Sequence, residues 1–173
     1  AIIEIFQSKG RVVVTGIGKS ANIANKFVAT LNSTGTPALF MHAADAIHGD
    51  LGMIRKEDVI ICISNSGETP EIKVLIPILK NNKNKIIAIV GAETSFLAKN
   101  ADHNLITKVP KEACPNNLAP TASTTAQLVI GDAIAMCLLD LRGFSTNDFA
   151  KIHPGGAIGK KLFLRVEDIF FNN

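Results

Sequence analysis

Six consecutive residues, Ser64-Asn65-Ser66-Gly67-Glu68-Thr69, set three hydroxyls, an amide and a glycine between an apolar β-branched run and Pro70. Thr followed by Pro marks a helix start, with Thr69 as N-cap and Pro70 at the first helical position. A helix N-terminus offers unpaired N–H groups and partial positive charge. Hydroxyls added to it make a phosphate cradle that needs no cation, and Gly67 permits close backbone approach. On local sequence alone, an ordinary capping loop reads equally well.

A second glycine turn, Gly16-Ile17-Gly18-Lys19-Ser20, follows another apolar run. It is not a P-loop, because Val13 stands where the first glycine of that motif belongs. Residues 16–21 satisfy the dinucleotide-binding pattern, but the next strand ends Phe40-Met41-His42 and the first acid comes only at Asp45. Lys19 falls in a helix's first turn, where a cation is electrostatically unfavourable. That conflict favours a role for Lys19 towards an anion or a developing oxyanion.

The titratable candidates are few. Glu71 lies in the first turn after the hydroxyl-rich loop, where it complements the helix dipole or serves chemistry. Glu112 lies in a loop after a fifth strand, where a carboxylate can act as general base. That loop, residues 110–120, carries Pro110, Pro115 and Pro120 and is long enough to suggest a function. His153 precedes Pro154-Gly155-Gly156, a context that positions a side chain without burying it. His42 and His48 flank a short helix at a spacing that does not share one face, and His103 falls in a connection and receives no role.

These residues need a scaffold, and the apolar pattern supplies one. Strands are predicted at Arg11–Thr15, Pro37–Met41, Asp58–Ile63, Lys85–Val90 and, more weakly, Leu105–Val109. Helices are predicted at Lys19–Ser33, Ala43–Gly49, Pro70 to about Asn82, Ala122–Leu141 (ended by Gly143) and Thr146–Ile152. Ile2, Ile5 and Phe6 follow helical spacing, with Gly10 as C-cap. Strands alternating with helices imply an α/β fold, a three-layer α-β-α sandwich around a five-stranded parallel sheet. Ligands of such sheets bind at the carboxyl ends of the strands, which is where loops 16–20 and 64–69 fall.

The bulk numbers fit one domain across residues 1–173, with 47% hydrophobic and 19% charged residues. A net charge of +3 favours anionic ligands weakly and gives no stripe for nucleic acid. Lys80, Lys83 and Lys85 read as a solvated helix end. No apolar run is expected to span a membrane, and Ala1-Ile2-Ile3-Glu4 lacks a signal-peptide pattern. Three cysteines without CxxC spacing point away from disulfides and structural zinc, and towards a reducing cytoplasm.

Taken together, GIGKS (16–20), HAADAIHGDLGMI (42–54), SNSGET (64–69), EACPNNLAPTASTT (112–125) and HPGGAIGKKL (153–162) resemble the sugar-isomerase (SIS) domain of arabinose-5-phosphate isomerases. The resemblance implies interconversion of D-ribulose 5-phosphate and D-arabinose 5-phosphate, the first step towards the Kdo sugar of lipopolysaccharide, without a cofactor. It implies a catalytic set of Lys19, Glu71, Glu112 and His153, with His48 also in the site. It implies substrate or phosphate contacts at Ser20, Gly35, Thr36, His42, His48, Ser64, Asn65, Ser66, Thr69 and Lys108-Val109-Pro110. A zinc-like metal on His42 or His48 would inhibit and not catalyse. The family resemblance also implies a homotetramer with sites at subunit contacts, acting on a sugar phosphate and not on nucleic acid or membrane. Many members carry a CBS pair after the SIS domain, and this chain stops about where that pair would begin. Glu112 is then the leading base, Lys19 the oxyanion donor, His153 or His48 the proton shuttle and Glu71 an orienting group. A non-catalytic sugar-phosphate sensor, or an isomerase of another ketose phosphate, remains the alternative reading.

Overall fold

The computed structural model describes residues 1–156, so positions 157–162 of the last motif lie outside the described residues. Five apolar runs form one parallel sheet: β1 (Val12–Gly16), β2 (Ala38–His42), β3 (Val59–Ser64), β4 (Lys85–Val90) and β5 (His103–Ile106). Their order is β2-β1-β3-β4-β5, with every ladder parallel. Strands buried on both faces must be apolar throughout, and β1 and β3 are buried at every position.

Side-chain alternation along the strands divides the core in two. Val12, Val14, Ile61, Ile63, Ile87 and Ile89 pack on Ile5 of α1 (Ile2–Gln7), Phe27 and Leu31 of α2 (Lys19–Ser33), and Ile134 and Leu138 of α6 (Ala122–Leu141). Val13, Ile60, Cys62, Ile86 and Ala88 pack the opposite way, on α3 (Ala43–Ala46), α4 (Pro70–Asn81) and α5 (Phe96–Asn100). Helix α7 (Thr146–Ile152) follows α6, and a short 3-10 turn, Asp50–Met53, leads towards β3. The three-layer α/β sandwich expected from the pattern is therefore present. The three cysteines are unpaired.

Several boundaries differ from expectation. Gly10 does not cap α1, which ends at Ser8 in extended conformation. A Cβ at Gly10 would lie 2.2 Å from the Glu57 carbonyl oxygen, so the glycine serves a close backbone approach. The fifth strand begins at His103 and stops at Ile106, because its partner β4 ends at Val90. His103 thus belongs to a strand and not to a connection. Helix α5 is additional to the elements expected; Ser95 caps it, accepting from the Ala98 N–H. The third helix closes at Ala46, short of Gly49. Helix α6 is, contrary to expectation, long and apolar enough by length and composition to cross a membrane. In this fold it lies against α2, burying Ser123, Gln127 and Gly131.

The amino edge of the sheet is tied by a buried carboxylate. Asp58 accepts from the Arg11 backbone N–H and side chain and from the Arg55 N–H, at 2.8–3.3 Å. Burial alone would raise its pKa, but the hydrogen bonds from Arg11 and Arg55 and the Arg11 charge outweigh it, and the net shift is downward. A depressed carboxyl contributes stability above its unfolded pKa, and that contribution is lost as pH falls through the folded value. Asp58→Ala should therefore cost about 3 kcal/mol at neutral pH. Urea unfolding should show the gap to wild type narrowing as pH drops below about 3.9.

Candidate active site

In the order β2-β1-β3, the connections after β1 and β3 leave the sheet on opposite faces, to α2 and α4 respectively. A crevice must open between them at the carboxyl edge. It is lined by Ile17 and Ser20 from the first connection and by Ile63, Ser64, Asn65, Ser66, Thr69 and Ile72 from the second, enclosing about 240 Å³.

Both helices begin at this crevice without a side-chain cap: α2 after Gly18 and α4 after Thr69. Their first-turn N–H groups are left to the crevice, with the positive ends of two helix dipoles. Thr69 occupies the expected N-cap position, but its hydroxyl pairs with Ser64 Oγ at 3.1 Å instead of capping. Ser64 Oγ also accepts from the Gly67 N–H, and Ser66 Oγ accepts from the Glu68 N–H. Gly67 has φ +66°, and a Cβ there would meet Ser95 Oγ at 2.2 Å. The loop is thus folded by its own hydroxyls around a glycine that no other residue replaces without strain. Glu68 faces away, accepting from the Phe96 N–H and pairing with Lys73.

On the other side of the α2 start, Gly18, Lys19, Asn22, Asn25, Phe40 and His42 line a second cleft of about 510 Å³. Lys19 is exposed and makes no ion pair among the described residues. His42 Nδ1 lies 3.8 Å from Asp45. His48 is exposed, beyond α3. No group of three or more potential metal ligands occurs among the described residues.

Glu112 is committed to its own loop. Its carboxylate accepts from the Thr121 N–H at 2.8 Å, the Thr121 hydroxyl at 3.1 Å and the Ser123 N–H at 3.1 Å. The Ser123 hydroxyl beside it, these N–H groups and the Thr121 hydroxyl lower its pKa to about 2. Ser123 Oγ itself lacks a regular hydrogen bond among the described residues. The arrangement pins the proline-rich loop to the start of α6 and holds the carboxyl well below the usual carboxylate range. Glu71 is half-buried in the first turn of α4. Lys108 lines a separate apolar groove between β5 and α6, together with Ile106, Ala122, Ala126 and Val129. Val109 and Pro110 follow it into the loop.

Three expected site residues fall elsewhere in this chain. Helix α6 runs about 30 Å from the carboxyl edge to the amino edge, ending where Arg142 Nε donates to Thr36 Oγ1 and Phe144 covers Gly35. Gly35 and Thr36 precede β2, so they belong to the amino edge. His153 follows α7 beyond that end, its ring stacked on Phe149 at 3.9 Å. Its Nδ1 lies 2.9 Å from the Phe149 carbonyl oxygen, which can only accept. That contact places a proton on Nδ1.

Gln127 escapes the sequence reading. It is wholly buried, and Ser20 Oγ donates to its Oε1 at 3.2 Å. The available signal is a lone amide in the apolar run of α6.

Residues 4–137 match the SIS domain family. The arabinose 5-phosphate isomerase KdsD of Escherichia coli K12 is 57% identical over 166 residues, 96% of this chain and 51% of its own length. The Pseudomonas aeruginosa protein of the same name is 54% identical, over 95% of this chain and 51% of its own. The chain thus spans about half the length of these relatives. An Escherichia coli CFT073 protein solved in complex with arabinose 5-phosphate superposes with a TM-score of 0.86 and 46% identity, covering 88% of this chain and 81% of that one. A parallel sheet with two uncapped helices at its switch point and the match across most of its length agree, and the chain belongs to the SIS domain family.

Proposed function

We propose that this chain carries the catalytic domain of an arabinose-5-phosphate isomerase, converting D-ribulose 5-phosphate to D-arabinose 5-phosphate through an enediolate. The observation that carries the reading is the crevice where the α2 and α4 N-termini meet the Ser64–Thr69 hydroxyls. It suits a phosphate monoester, and Lys19, in the adjoining cleft on the other side of the α2 start, is assigned to the charge that develops on the sugar. Similarity to named isomerases and to a chain solved with arabinose 5-phosphate supports the pentose phosphate over other ketose phosphates. The product would feed Kdo synthesis in the cytoplasm.

In this reading a base removes a proton from C1 of the ketose and returns one to C2, while a proton moves from O1 to O2. Lys19 stabilises the enediolate oxygen, worth about 3–4 kcal/mol for one well-aimed donor. His153, oriented by its Nδ1 contact to Phe149, moves the proton. Glu71 orients Lys19 or a substrate hydroxyl, and His48 and His42 border the sugar. Glu112 holds the loop at α6 and tends the site indirectly.

His153, Gly35 and Thr36 lie at the far edge, so they reach a crevice only in another copy. A homotetramer with shared sites supplies that copy. Its support is an uncovered apolar surface: Ile106, Leu118, Val129, Met136 and Leu141 are all exposed. Burying such residues is worth about 1.5–3 kcal/mol each.

Wild-type protein incubated with D-ribulose 5-phosphate in deuterated buffer should yield arabinose 5-phosphate labelled at C2; absence of both product and label contradicts the reading. Lys19→Met should lower kcat about 10²–10³-fold, and His153→Asn about 10²-fold or more. Mixing these two inactive variants under subunit exchange should restore activity, because some sites then combine a native Lys19 with a native His153. A mixture no more active than its parents rules out shared sites. Glu112→Gln should lower kcat by about tenfold or less, since an amide oxygen still accepts from the loop N–H groups. A loss of about 10³-fold or more would restore Glu112 as the base.

A further inference from the structure

The α2–α6 contact buries a polar group that the proposed reaction does not use. Gln127 is 0% exposed, and its Nε2 has no hydrogen-bond partner among the described residues. Its Oε1 accepts the Ser20 hydroxyl proton at 3.2 Å. Ser20 lines the crevice with Ser64, Asn65, Ser66 and Thr69. In this arrangement the crevice meets only the lone pairs of Ser20, which repel an anion. A buried N–H without an acceptor is also the rarer and costlier kind of orphan, compared with an under-used carbonyl oxygen.

Rotating the amide by half a turn resolves both features. The two ends of a glutamine amide are similar in shape and opposite in hydrogen-bond sense. Turned over, Nε2 donates to Ser20 Oγ, and the Ser20 hydroxyl proton is released towards the crevice. Ser123, whose Oγ is also buried and unpartnered among the described residues, lies one helical turn before Gln127 on the same buried face. Side chains at that spacing are neighbours, so its hydroxyl, which also lies beside the Glu112 carboxylate, has the rotated amide oxygen as a second acceptor. Ser123 is also the residue whose N–H holds Glu112.

We propose that Gln127 is a positioning residue for anion binding: with a phosphate group in the crevice, its amide donates to Ser20 and turns the Ser20 hydroxyl into a donor to the phosphate. This rests on the phosphate reading of the crevice given above. Ser20 is a binding residue only in the state that Gln127 sets, and the start of α6 is linked to phosphate affinity through Ser123 and Gln127.

The test is a double-mutant cycle on Ser20→Ala and Gln127→Glu. Its readouts are KM for D-ribulose 5-phosphate and Kd for inorganic phosphate measured by calorimetry. An ionised carboxylate introduced at this position only accepts, so it holds Ser20 in the wrong sense. Gln127→Glu should raise both constants about tenfold, the scale of one charge-assisted hydrogen bond, with a smaller change in kcat. In the Ser20→Ala background the same substitution should change them less than about twofold. At pH values that protonate the introduced carboxylate the penalty relative to wild type should shrink, because a carboxylic acid can donate. Should Gln127→Glu fail to fold, Gln127→Met keeps the volume without the amide, and its effect should likewise vanish in Ser20→Ala. Equal effects in both backgrounds, or no effect on phosphate affinity, overturn the proposal. Wild-type protein that binds phosphate but leaves the pentulose phosphate unchanged would remove the isomerase reading and spare this one; wild type that binds no phosphate removes both.

Discussion

Two helices begin at one point of the sheet with no side-chain cap among the described residues. The N-termini of α2 and α4 meet between β1 and β3, where the chain leaves the sheet to opposite sides. Each would gain stability from a capping side chain of its own. Gly18 has none, and Thr69 turns its hydroxyl to Ser64. The unsatisfied N–H groups and the converging dipoles favour an anion, and Lys19, unfavourable in a first turn, becomes favourable once an anion is bound. The rest of the molecule positions this junction.

The positioning works by separation of tasks between the two edges of the sheet. At the amino edge Asp58 gathers Arg11 and Arg55, and Asn84 Nδ2 donates to the carbonyls of Arg55 and Asp58. This polar network ties β1, β3 and the start of β4 together at that edge. At the carboxyl edge polar groups are left partly unpaired among the described residues, Gln127 Nε2 and Ser123 Oγ being two of them. Helix α6 joins the two edges, and carries the chain from Glu112 and its loop to Phe144 and α7. In the proposed reading, an acid–base group beyond α7 serves a crevice through association of copies, and the exposed apolar face of α6 is the surface proposed for it.

Much of this is legible in the residues. Strand β4 and helices α6 and α7 have the predicted limits, because each combines a clear period with a clear end signal. The crevice is legible too, since SNSGET and GIGKS each fall between a buried strand and a helix. Strand β5 is harder to delimit because apolar and β-branched residues recur as far as Val109, after its partner strand has ended; pairing, not hydrophobicity, sets the limit. Glu112 reads as a base because a carboxylate at a strand's carboxyl edge is a plausible one, while the hydrogen bonds that hold its carboxyl below the usual range come from residues nine and eleven positions later. Gly35 and Thr36 come from resemblance alone, although their place before β2 puts them at the amino edge; for His153 the Pro-Gly-Gly context suggests a positioned side chain but does not reveal its edge. Gln127 is overlooked because a helical period marks the face of a residue, not the partner waiting there.

The most direct measurement of the central claim is an amide NMR titration of the protein with arabinose 5-phosphate. Binding at the junction predicts the largest shifts at the first-turn amides of α2 and α4 and at Asn65–Gly67. Shifts confined to the groove between β5 and α6, with those amides unmoved, would contradict it.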